Sequence, residues 1–346
     1  MLEKPDLPDA KISACLQDHY GLHIVSVEFL PLGADANTAV YRVVADDETP
    51  YFLKLRRSFN ETSVLVPKFL SEQGIRQIIV PIETTTQQLW AALDDFAVIL
   101  YPFVEGHNAF EVEMSARQWV EFGDALKRLH RALVPQTLVN RLKRETFSPQ
   151  WREIVKEFQR RVEQETFDDP TAAKLAAFLK SKRDTVLFLV RQAERLASAL
   201  QSQPREFVLC HSDVHAWNIL IDSQASFYIV DWDDPILAPK ERDLMFVGSG
   251  MGICDTTQQE TLFYQGYSQT AIDHVALAYY RYERIVQDIA AYSEQILLTD
   301  EGGEDREQGL QNVIGNFLPN SIIDIARRSE KFLPSELRAN LTSVRI

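Results

Sequence analysis

The stretch CHSDVHAWNIL, residues 210–220, decides the fold of this chain. It places His211, Asp213, His215 and Asn218 within eight residues, next to strand-like apolar segments. Binding and catalytic side chains are concentrated in loops that a rigid scaffold positions. Such a density of polar side chains at a strand end therefore predicts a functional loop.

The apolar runs NILID (218–222) and FYIVD (227–231) predict the two strands of a β-hairpin around this loop. Residues 223–226, rich in serine, suit a four-residue turn. Counting back from that turn pairs Asn218 with Asp231, and facing residues have Cβ atoms about 5 Å apart. An amide oxygen so close to a carboxylate predicts a Mg²⁺ site, because Mg²⁺ takes few protein oxygens and leaves the rest of its shell to phosphates and water.

Composition limits the class of protein. The chain has 346 residues, of which 45% are hydrophobic and 25% charged, as in ordinary globular proteins. No apolar run reaches the roughly 18 residues that a membrane span needs. The first ten residues lack the basic and apolar regions of a signal peptide. Three widely spread cysteines (Cys15, Cys210 and Cys254) favour a reducing compartment, so we expect a cytoplasmic protein.

The net charge of −14 argues against nucleic acid or an anionic membrane as a partner. A cationic substrate would suit this charge, and a solvated acidic surface explains it equally well. The oligomeric state is not predicted.

The first hundred residues read mostly as β-sheet. Residues 23–57 form three predicted strands separated by turn residues, and a helix over 61–73 follows, with Pro67 inside it. Further strands are predicted over 77–82, 88–93 and 96–104.

Beyond Gly106 the pattern becomes helical. In the predicted helix 117–133, one face is apolar, and the residues 150–203 and 277–298 show helical patterns too. The apolar face of the first of these helices carries Trp119, Phe122, Leu126 and Leu129. We predict an α+β fold with a small antiparallel-sheet lobe (1–100), a hinge (101–106) and a large helical lobe (107–346).

The motif H-x-D-x-x-x-x-N, with a second Asp at the end of the following strand, is the catalytic and metal-binding layout of protein-kinase-like enzymes. His211, Asp213, Asn218 and Asp231 fit it. With IVDWDDP and KERDLMF (240–246), the stretch resembles the aminoglycoside phosphotransferase family, and the resemblance runs over nearly the whole chain. It implies a bilobal protein-kinase-like fold that binds ATP and Mg²⁺.

The resemblance also implies roles by position. Asp213 becomes the catalytic base, and Asn218 and Asp231 hold the Mg²⁺ ions that bridge the ATP phosphates. Lys54, central in the third strand, fits the lysine that contacts the α- and β-phosphates. We expect Glu61 to be its ion-pair partner, in preference to Glu72 at the far end of the same helix.

The loop LGADANTAV (32–40) would cover the phosphates, although it has one glycine where protein kinases have three. Gly33, Asn37 and Thr38 are its predicted nucleotide contacts. In the hinge region we expect backbone groups to contact adenine. The residues concerned are Leu100, Tyr101 and Phe103.

His211 and His215 have no metal-ligand partners nearby in the sequence, so we expect them to orient the catalytic loop. Asp243 suits either a helix N-cap or, as the resemblance implies, a buried carboxylate that supports the loop. Asp234 and Glu283 are candidate contacts for a cationic substrate, and Glu283 could equally pair with a Lys or Arg elsewhere.

Three functions remain open. Glu241 follows Asp231 by only ten positions, which leaves little room for a platform that binds a polypeptide and favours a small acceptor. The resemblance implies an O-phosphotransferase for a hydroxyl of a small cationic antibiotic, spectinomycin first among them. A metabolite kinase of the choline, homoserine or methylthioribose type is the alternative. A non-catalytic nucleotide-binding module is disfavoured, because Lys54, Asp213, Asn218 and Asp231 are all present.

Overall fold

The structure is a computed structural model, and it describes residues 2–33, 35, 37–247, 257–299 and 302–338. All the predicted site residues fall inside these ranges, whereas Cys254 lies outside them. The chain divides into two compact units. The sheet unit comprises Met1–Lys143, Leu209–Leu237 and Thr261–Ser268, and the helical unit comprises Arg144–Val208, Ala238–Glu260 and Gln269–Ile346.

The stretch 210–220, which is the predicted catalytic loop, thus shares a unit with the N-terminal sheet. The predicted lobe boundaries at 100 and 107 stay a prediction.

Strands in the described part of the chain are β1 Ile24–Leu30, β2 Thr38–Ala45, β3 Pro50–Arg56, β4 Ala91–Leu93, β5 Phe96–Pro102, β6 Gly106–Asn108, β7 Lys143–Arg144, β8 Val208–Cys210, β9 Ile219–Asp222, β10 Phe227–Ile229 and β11 Ile236–Ala238. The α-helices described are α1 Asp9–Tyr20, α2 Thr62–Glu72, α3 Ala116–His130, α4 Gln136–Val139, α5 Gln150–Gln164, α6 Pro170–Ser181, α7 Arg183–Gln201, α8 Glu241–Leu244, α9 Thr257–Tyr267, α10 His274–Leu297, α11 Gly303–Gly315 and α12 Ile322–Ser329. This mixture of an antiparallel sheet and many helices confirms the predicted α+β class.

The main sheet has the order β1-β2-β3-β5-β4, with every neighbouring pair antiparallel. Strand residues alternate between the two faces of a sheet. One face carries Tyr41, Leu53 and Leu100, which are buried in a core together with Ile12 and Leu16 of α1. The opposite face is called the Lys54 face here. Its members on β3 are Phe52, Lys54 and Arg56, and their partners on β5 include Ile99 and Tyr101.

Helix α1 was not predicted. Residue Pro8 precedes the helix, and Gly21 ends it in the left-handed conformation with φ 69°. The N–H of Gly21 donates to the carbonyl of Gln17, and that of Leu22 donates to the carbonyl of Leu16. Two signals were available. Pro before a helix and Gly after it mark its ends, and the buried residues Ile12, Cys15, Leu16 and Tyr20 follow helical spacing.

Other predicted elements of the sheet unit have mixed outcomes. The three strands of 23–57 are confirmed, and the helix predicted over 61–73 is α2, with Pro67 inside it. The strand predicted over 77–82 is wrong: the segment makes one isolated bridge, between Ile78 and Ile229. Pro81 lies in this segment and cannot donate to a strand ladder.

The predicted long helices are confirmed. Helix α3 begins with a capping box between Ser115 and Gln118, and its predicted apolar face is buried. In the helical unit, α10 packs against α5, α7, α11 and α12, and its N-cap Asp273 accepts from two backbone N–H groups. None of the helices in the described ranges combines the length and the apolar character needed to cross a bilayer.

A buried ion pair lies inside the helical unit. Arg152 Nη1 donates to Glu283 Oε2 at 2.9 Å, and the two side chains are only 2% and 7% exposed. Burial raises the pKa of Glu283 to about 7, although the charge of Arg152 opposes the shift. The alternative that Glu283 pairs with an arginine is therefore confirmed.

We expect this carboxyl to make the stability of the protein depend on pH. Its pKa is raised above the ordinary 4.5, so the folded state holds the proton more tightly than the unfolded state. The stabilising contribution is complete below about pH 4.5 and is lost as the pH rises through about 7. The variant Glu283→Gln lacks this loss, so between pH 5 and pH 8 the free energy of unfolding of the wild type should fall by about 2 to 3 kcal/mol relative to that of the variant.

Thermal or denaturant unfolding at the two pH values measures this difference. Glu153→Gln on α5, where the carboxylate is 61% exposed, is the matched control and should leave the pH profile unchanged. Parallel profiles for wild type and Glu283→Gln would contradict the assignment.

Candidate active site

The hairpin after the catalytic stretch has a shorter turn than predicted. Asp222 pairs with Ser226, and its carboxylate accepts the N–H groups of Gln224 and Ser226. Ala225 adopts φ 62°, as the last residue of a three-residue hairpin turn does. Ile221 therefore faces Phe227, one residue out of step with the predicted register.

This register corrects the predicted pairing of Asn218 with Asp231. Asn218 instead faces Val230, whose N–H donates to the Asn218 carbonyl at 2.9 Å. Asp231 lies just beyond the ladder with φ 65°, and Ser212 in the catalytic loop has φ 77°. Such conformations cost on the order of 1 kcal/mol or more and cluster at functional sites.

Hydrogen bonds fix the catalytic loop around Asp213. Its carbonyl accepts from the Asn218 side-chain Nδ2 at 2.8 Å and from the His215 N–H at 3.0 Å. The Asp213 N–H donates to His211 Nδ1 at 3.2 Å, so the other ring nitrogen, Nε2, carries the proton and donates to the Val230 carbonyl at 2.9 Å. The buried His211 ring thus ties the loop to the hairpin strand.

The carboxylate of Asp213 remains accessible, with 35% of its side chain exposed. His215 Nε2 lies 3.4 Å from its Oδ2. Both histidines occupy positions from which they orient the loop, and the role predicted for them stays a prediction.

Lys54 joins the sheet to the segment after the hairpin. Its Nζ donates to Asp231 Oδ1 and to Asp233 Oδ1, both at 2.6 Å, and its side chain is 10% exposed. Burial disfavours the ammonium, but the two carboxylates outweigh it and raise the pKa of Lys54. The charge of Lys54 likewise lowers the pKa of Asp231 against the effect of burial. Burial, with the nearby Asp231, raises the pKa of Asp233 to about 6.

Sequence reasoning assigned no role to Asp233 or to Arg56, which completes this cluster. Arg56 Nη1 lies 3.1 Å from Asp233 Oδ1, and the arginine is buried. Both lie close in sequence to predicted site residues: Asp233 is two residues after Asp231, and Arg56 is two residues after Lys54 on the same face of β3.

The predicted Lys54–Glu61 ion pair is wrong. Glu61 is the N-cap residue of α2, half-exposed, and its carboxylate accepts from Arg141. Glu72, the alternative, lies 3.5 Å from Lys68. Lys54 instead donates to Asp231 and Asp233, whose negative charge its ammonium balances in part.

The loop over 32–40 is organised by Asp35. Its carboxylate accepts the N–H of Asn37 at 2.9 Å and the hydroxyl of Thr38 at 2.7 Å. Gly33 has φ 86°, which favours glycine, and among the described residues no atom lies within 4 Å of the place of a Cβ there. The nucleotide contacts predicted for Gly33, Asn37 and Thr38 stay predictions.

In the predicted hinge region, the Leu100 carbonyl accepts from the Ile82 N–H at 2.7 Å. Burial raises the pKa of the Tyr101 phenol, which lies on the Lys54 face. Phe103 lies under the guanidinium of Arg42, 5.3 Å from it. None of these contacts tests the adenine site predicted for these residues.

Three further predicted residues have clear surroundings. Asp234 is 63% exposed, and its carboxylate accepts from Lys143 at 2.7 Å. Asp243 is fully buried inside α8, whose N-cap is Lys240, so the N-cap alternative for Asp243 is wrong. Glu283 lies in the helical unit as the partner of Arg152.

A stacked aromatic pair flanks the catalytic loop and was not predicted. The rings of Phe110 and Trp217 lie 4.6 Å apart at 19°, and the residues are 62% and 55% exposed. The N–H of Ala109 donates to the carbonyls of Ala216 and Ile219, at 3.1 and 2.9 Å. The only available signal was a tryptophan between the predicted base and the predicted metal ligand.

A strand lysine bound to an Asp after a hairpin, beside an H-x-D-x-x-x-x-N loop, defines a kinase-like phosphotransferase. Residues 28–276 match the phosphotransferase enzyme family (APH). The chain belongs to that family, which confirms the resemblance found in the sequence.

Solved structures agree with this family assignment. A spectinomycin phosphotransferase, APH(9)-Ia, in complex with ADP and spectinomycin is 35% identical, with a TM-score of 0.87 over 94% of this chain and 100% of that chain. Its AMP-bound complex is 34% identical, with a TM-score of 0.81 over 92% and 97%. A choline kinase from Streptococcus pneumoniae, 16% identical with a TM-score of 0.55 over 88% and 97%, shares the fold. A search of curated proteins found no match.

If Lys54 holds the ATP phosphates as predicted, Lys54→Met should raise the KM for ATP by roughly tenfold or more, because a hydrogen bond to a charged group contributes about 1.5–3 kcal/mol. Initial-rate kinetics with ATP and acceptor varied in turn measure this change. Lys68→Met removes an exposed lysine that pairs with Glu83 and serves as the control. An unchanged KM for ATP in Lys54→Met would contradict the role.

Proposed function

We propose that this phosphotransferase moves the γ-phosphoryl group of ATP to a hydroxyl of spectinomycin or a closely related cationic antibiotic. The observation that carries the proposal is the likeness to a spectinomycin phosphotransferase at 35% identity and a TM-score of 0.87 over 94% of the chain. The likeness to a choline kinase is much weaker, at 16% identity and a TM-score of 0.55.

Asp213 serves as the catalytic base. Its carboxylate is accessible. The backbone of Asp213 is held in place because its N–H donates to His211 and its carbonyl accepts from Asn218. A base of this kind orients the acceptor hydroxyl and accepts its proton during transfer. His215, 3.4 Å from the carboxylate, helps to fix its orientation.

The polar groups fit a Mg²⁺ site. The amide nitrogen of Asn218 is committed to the Asp213 carbonyl, which leaves its amide oxygen as a ligand. Asp231 adds a carboxylate, and Asp233 lies two residues further on with a second. Oxygen donors of this kind are those that Mg²⁺ prefers, and the bound ion would neutralise charge on the ATP phosphates.

The acceptor binds at the surface beside the catalytic loop. The exposed rings of Phe110 and Trp217 offer an apolar platform, and the exposed Asp234 offers a carboxylate to a substrate amine. Aromatic faces attract cations, and a protonated amine in a partly closed cleft requires a charge partner.

A metabolite kinase acting on a quaternary ammonium alcohol is the second candidate. The same aromatic pair favours it, because aromatic faces also recognise quaternary ammonium groups.

The first test is Mg·ATP-dependent phosphorylation of spectinomycin, several aminoglycosides, choline, homoserine and methylthioribose. We expect turnover of spectinomycin, and we expect Asp213→Ala to abolish transfer while ATP binding persists, because the change removes the base and leaves Lys54 in place. Asp184→Ala on α7, where the carboxylate is 88% exposed, is the matched control for loss of an aspartate. Turnover of choline with the antibiotics inert would replace the proposal by the second candidate.

The aromatic platform has its own test. Trp217→Ala should raise the KM for the acceptor by roughly tenfold and leave the KM for ATP unchanged, because losing a stacking or cation–π contact costs about 1–2 kcal/mol. Trp90→Ala, which removes the aromatic partner of Phe59, is the control for general damage. Equal changes in both KM values for Trp217→Ala would count against the acceptor site.

A further inference from the structure

The loop over 32–40 has one glycine, so it offers fewer close backbone N–H groups to phosphates than a three-glycine loop. Beneath it lies Arg56. On β3, Lys54 faces Val40 and Arg56 faces Thr38, the residue at which β2 begins. Two residues along a strand span about 7 Å, so Arg56 stands on the Lys54 face about 7 Å nearer the loop than Lys54 does.

Arg56 is held between the loop and the site. Its Nη1 lies 3.1 Å from Asp233 Oδ1, and its Nη2 lies 3.8 Å from Asp35 Oδ2. The residue is 7% exposed. The guanidinium thus connects the carboxylate that organises the loop with the carboxylate that Lys54 binds.

The hydrogen bonds of this guanidinium are incomplete. Its Nε is buried without a hydrogen-bond partner among the described residues, and Nη1 makes only the ion contact with Asp233. The Asp233 oxygen it approaches already accepts from Lys54 at 2.6 Å. A buried donor left without an acceptor is destabilising, so this arrangement suits a second anion at the site.

The alternative is that Arg56 only neutralises the two aspartates. Lys54 already bridges Asp231 and Asp233, and Arg56 balances the second negative charge through the single contact of Nη1 with Asp233 Oδ1. Asp35, for its part, lies beyond hydrogen-bond distance of Arg56. Neutralisation therefore leaves the donors of the planar fork unexplained, whereas phosphate oxygens match that fork in charge and geometry.

We infer that Arg56 is a second phosphate-binding cation, which contacts the terminal phosphoryl group of ATP from beneath the loop. Lys54, which is two residues earlier on β3 and farther from the loop, binds the inner phosphates. The arginine fork supplies the donors that a glycine-rich backbone supplies elsewhere. This inference rests on the proposed function for the identity of the nucleotide, and it does not depend on which acceptor is used.

The test is the binding of AMP-PNP, ADP, AMP and adenosine, each with Mg²⁺, to wild type and to Arg56→Gln, measured by calorimetry. We expect Arg56→Gln to lower the affinity for AMP-PNP by roughly tenfold to a hundredfold and to leave the affinities for AMP and adenosine unchanged. Arg56→Lys should recover part of the loss, since it keeps the charge and loses the fork. Arg57→Gln, the next residue, is exposed and pairs with Asp95, and it should bind all four ligands as wild type does.

Equal losses of affinity for all four ligands would show that Arg56 has a structural role in the sheet. An unchanged affinity for AMP-PNP would show that Arg56 does not bind phosphate. Either result overturns the inference. If Arg56→Gln does not fold, the ratio of AMP-PNP to AMP affinity in Arg56→Lys decides, and a ratio equal to that of wild type overturns it. Wild type that binds none of the nucleotides would overturn the proposed function as well. Wild type that binds AMP-PNP but does not phosphorylate spectinomycin would count against the antibiotic alone.

Discussion

The contact of Lys54 with Asp231 and Asp233 is the interaction on which the site depends. These residues lie 177 and 179 positions from the lysine, so the contact joins the N-terminal sheet to the segment after the catalytic hairpin. A buried charge is stable only when it is paired. The buried Lys54 therefore requires the two carboxylates, and the sheet and the hairpin segment are fixed together where the phosphates are proposed to bind.

The same constraint explains the strained backbone around the loop. Because the hairpin turn is one residue shorter than predicted, Asp231 lies beyond the last residue pair of the ladder. It contacts Lys54 from a backbone conformation with φ 65°. Ser212 reaches its place with φ 77°, and its hydroxyl donates to the Asp234 carbonyl at 2.8 Å. The surrounding hydrogen bonds, those of His211 above all, offset the cost of these conformations.

The sequence was sufficient to predict those features of the fold and the site that depend on residues close together in the chain. The motif around Asp213, the strand that bears Lys54 and the apolar helix faces were all evident from spacing alone. The hairpin register was missed because a side chain, that of Asp222, shortens the turn. Helix α1 was missed although its buried residues follow helical spacing; they are Ile12, Cys15, Leu16 and Tyr20. The partner of Lys54 was missed because it lies 177 positions further along the chain, and local spacing does not encode such a contact.

The segment after β6 combines a fixed backbone with exposed aromatic side chains. Added atoms at Gly106 would lie 2.2 Å from the Ile221 carbonyl, and the Ala109 N–H is bonded to two carbonyls of the catalytic loop, so this backbone is fixed. The rings of Phe110 and Trp217, by contrast, project into solvent from that fixed backbone. Selection can therefore vary the surface proposed to bind the acceptor while the proposed catalytic groups keep their places, so that chemistry and substrate choice evolve separately.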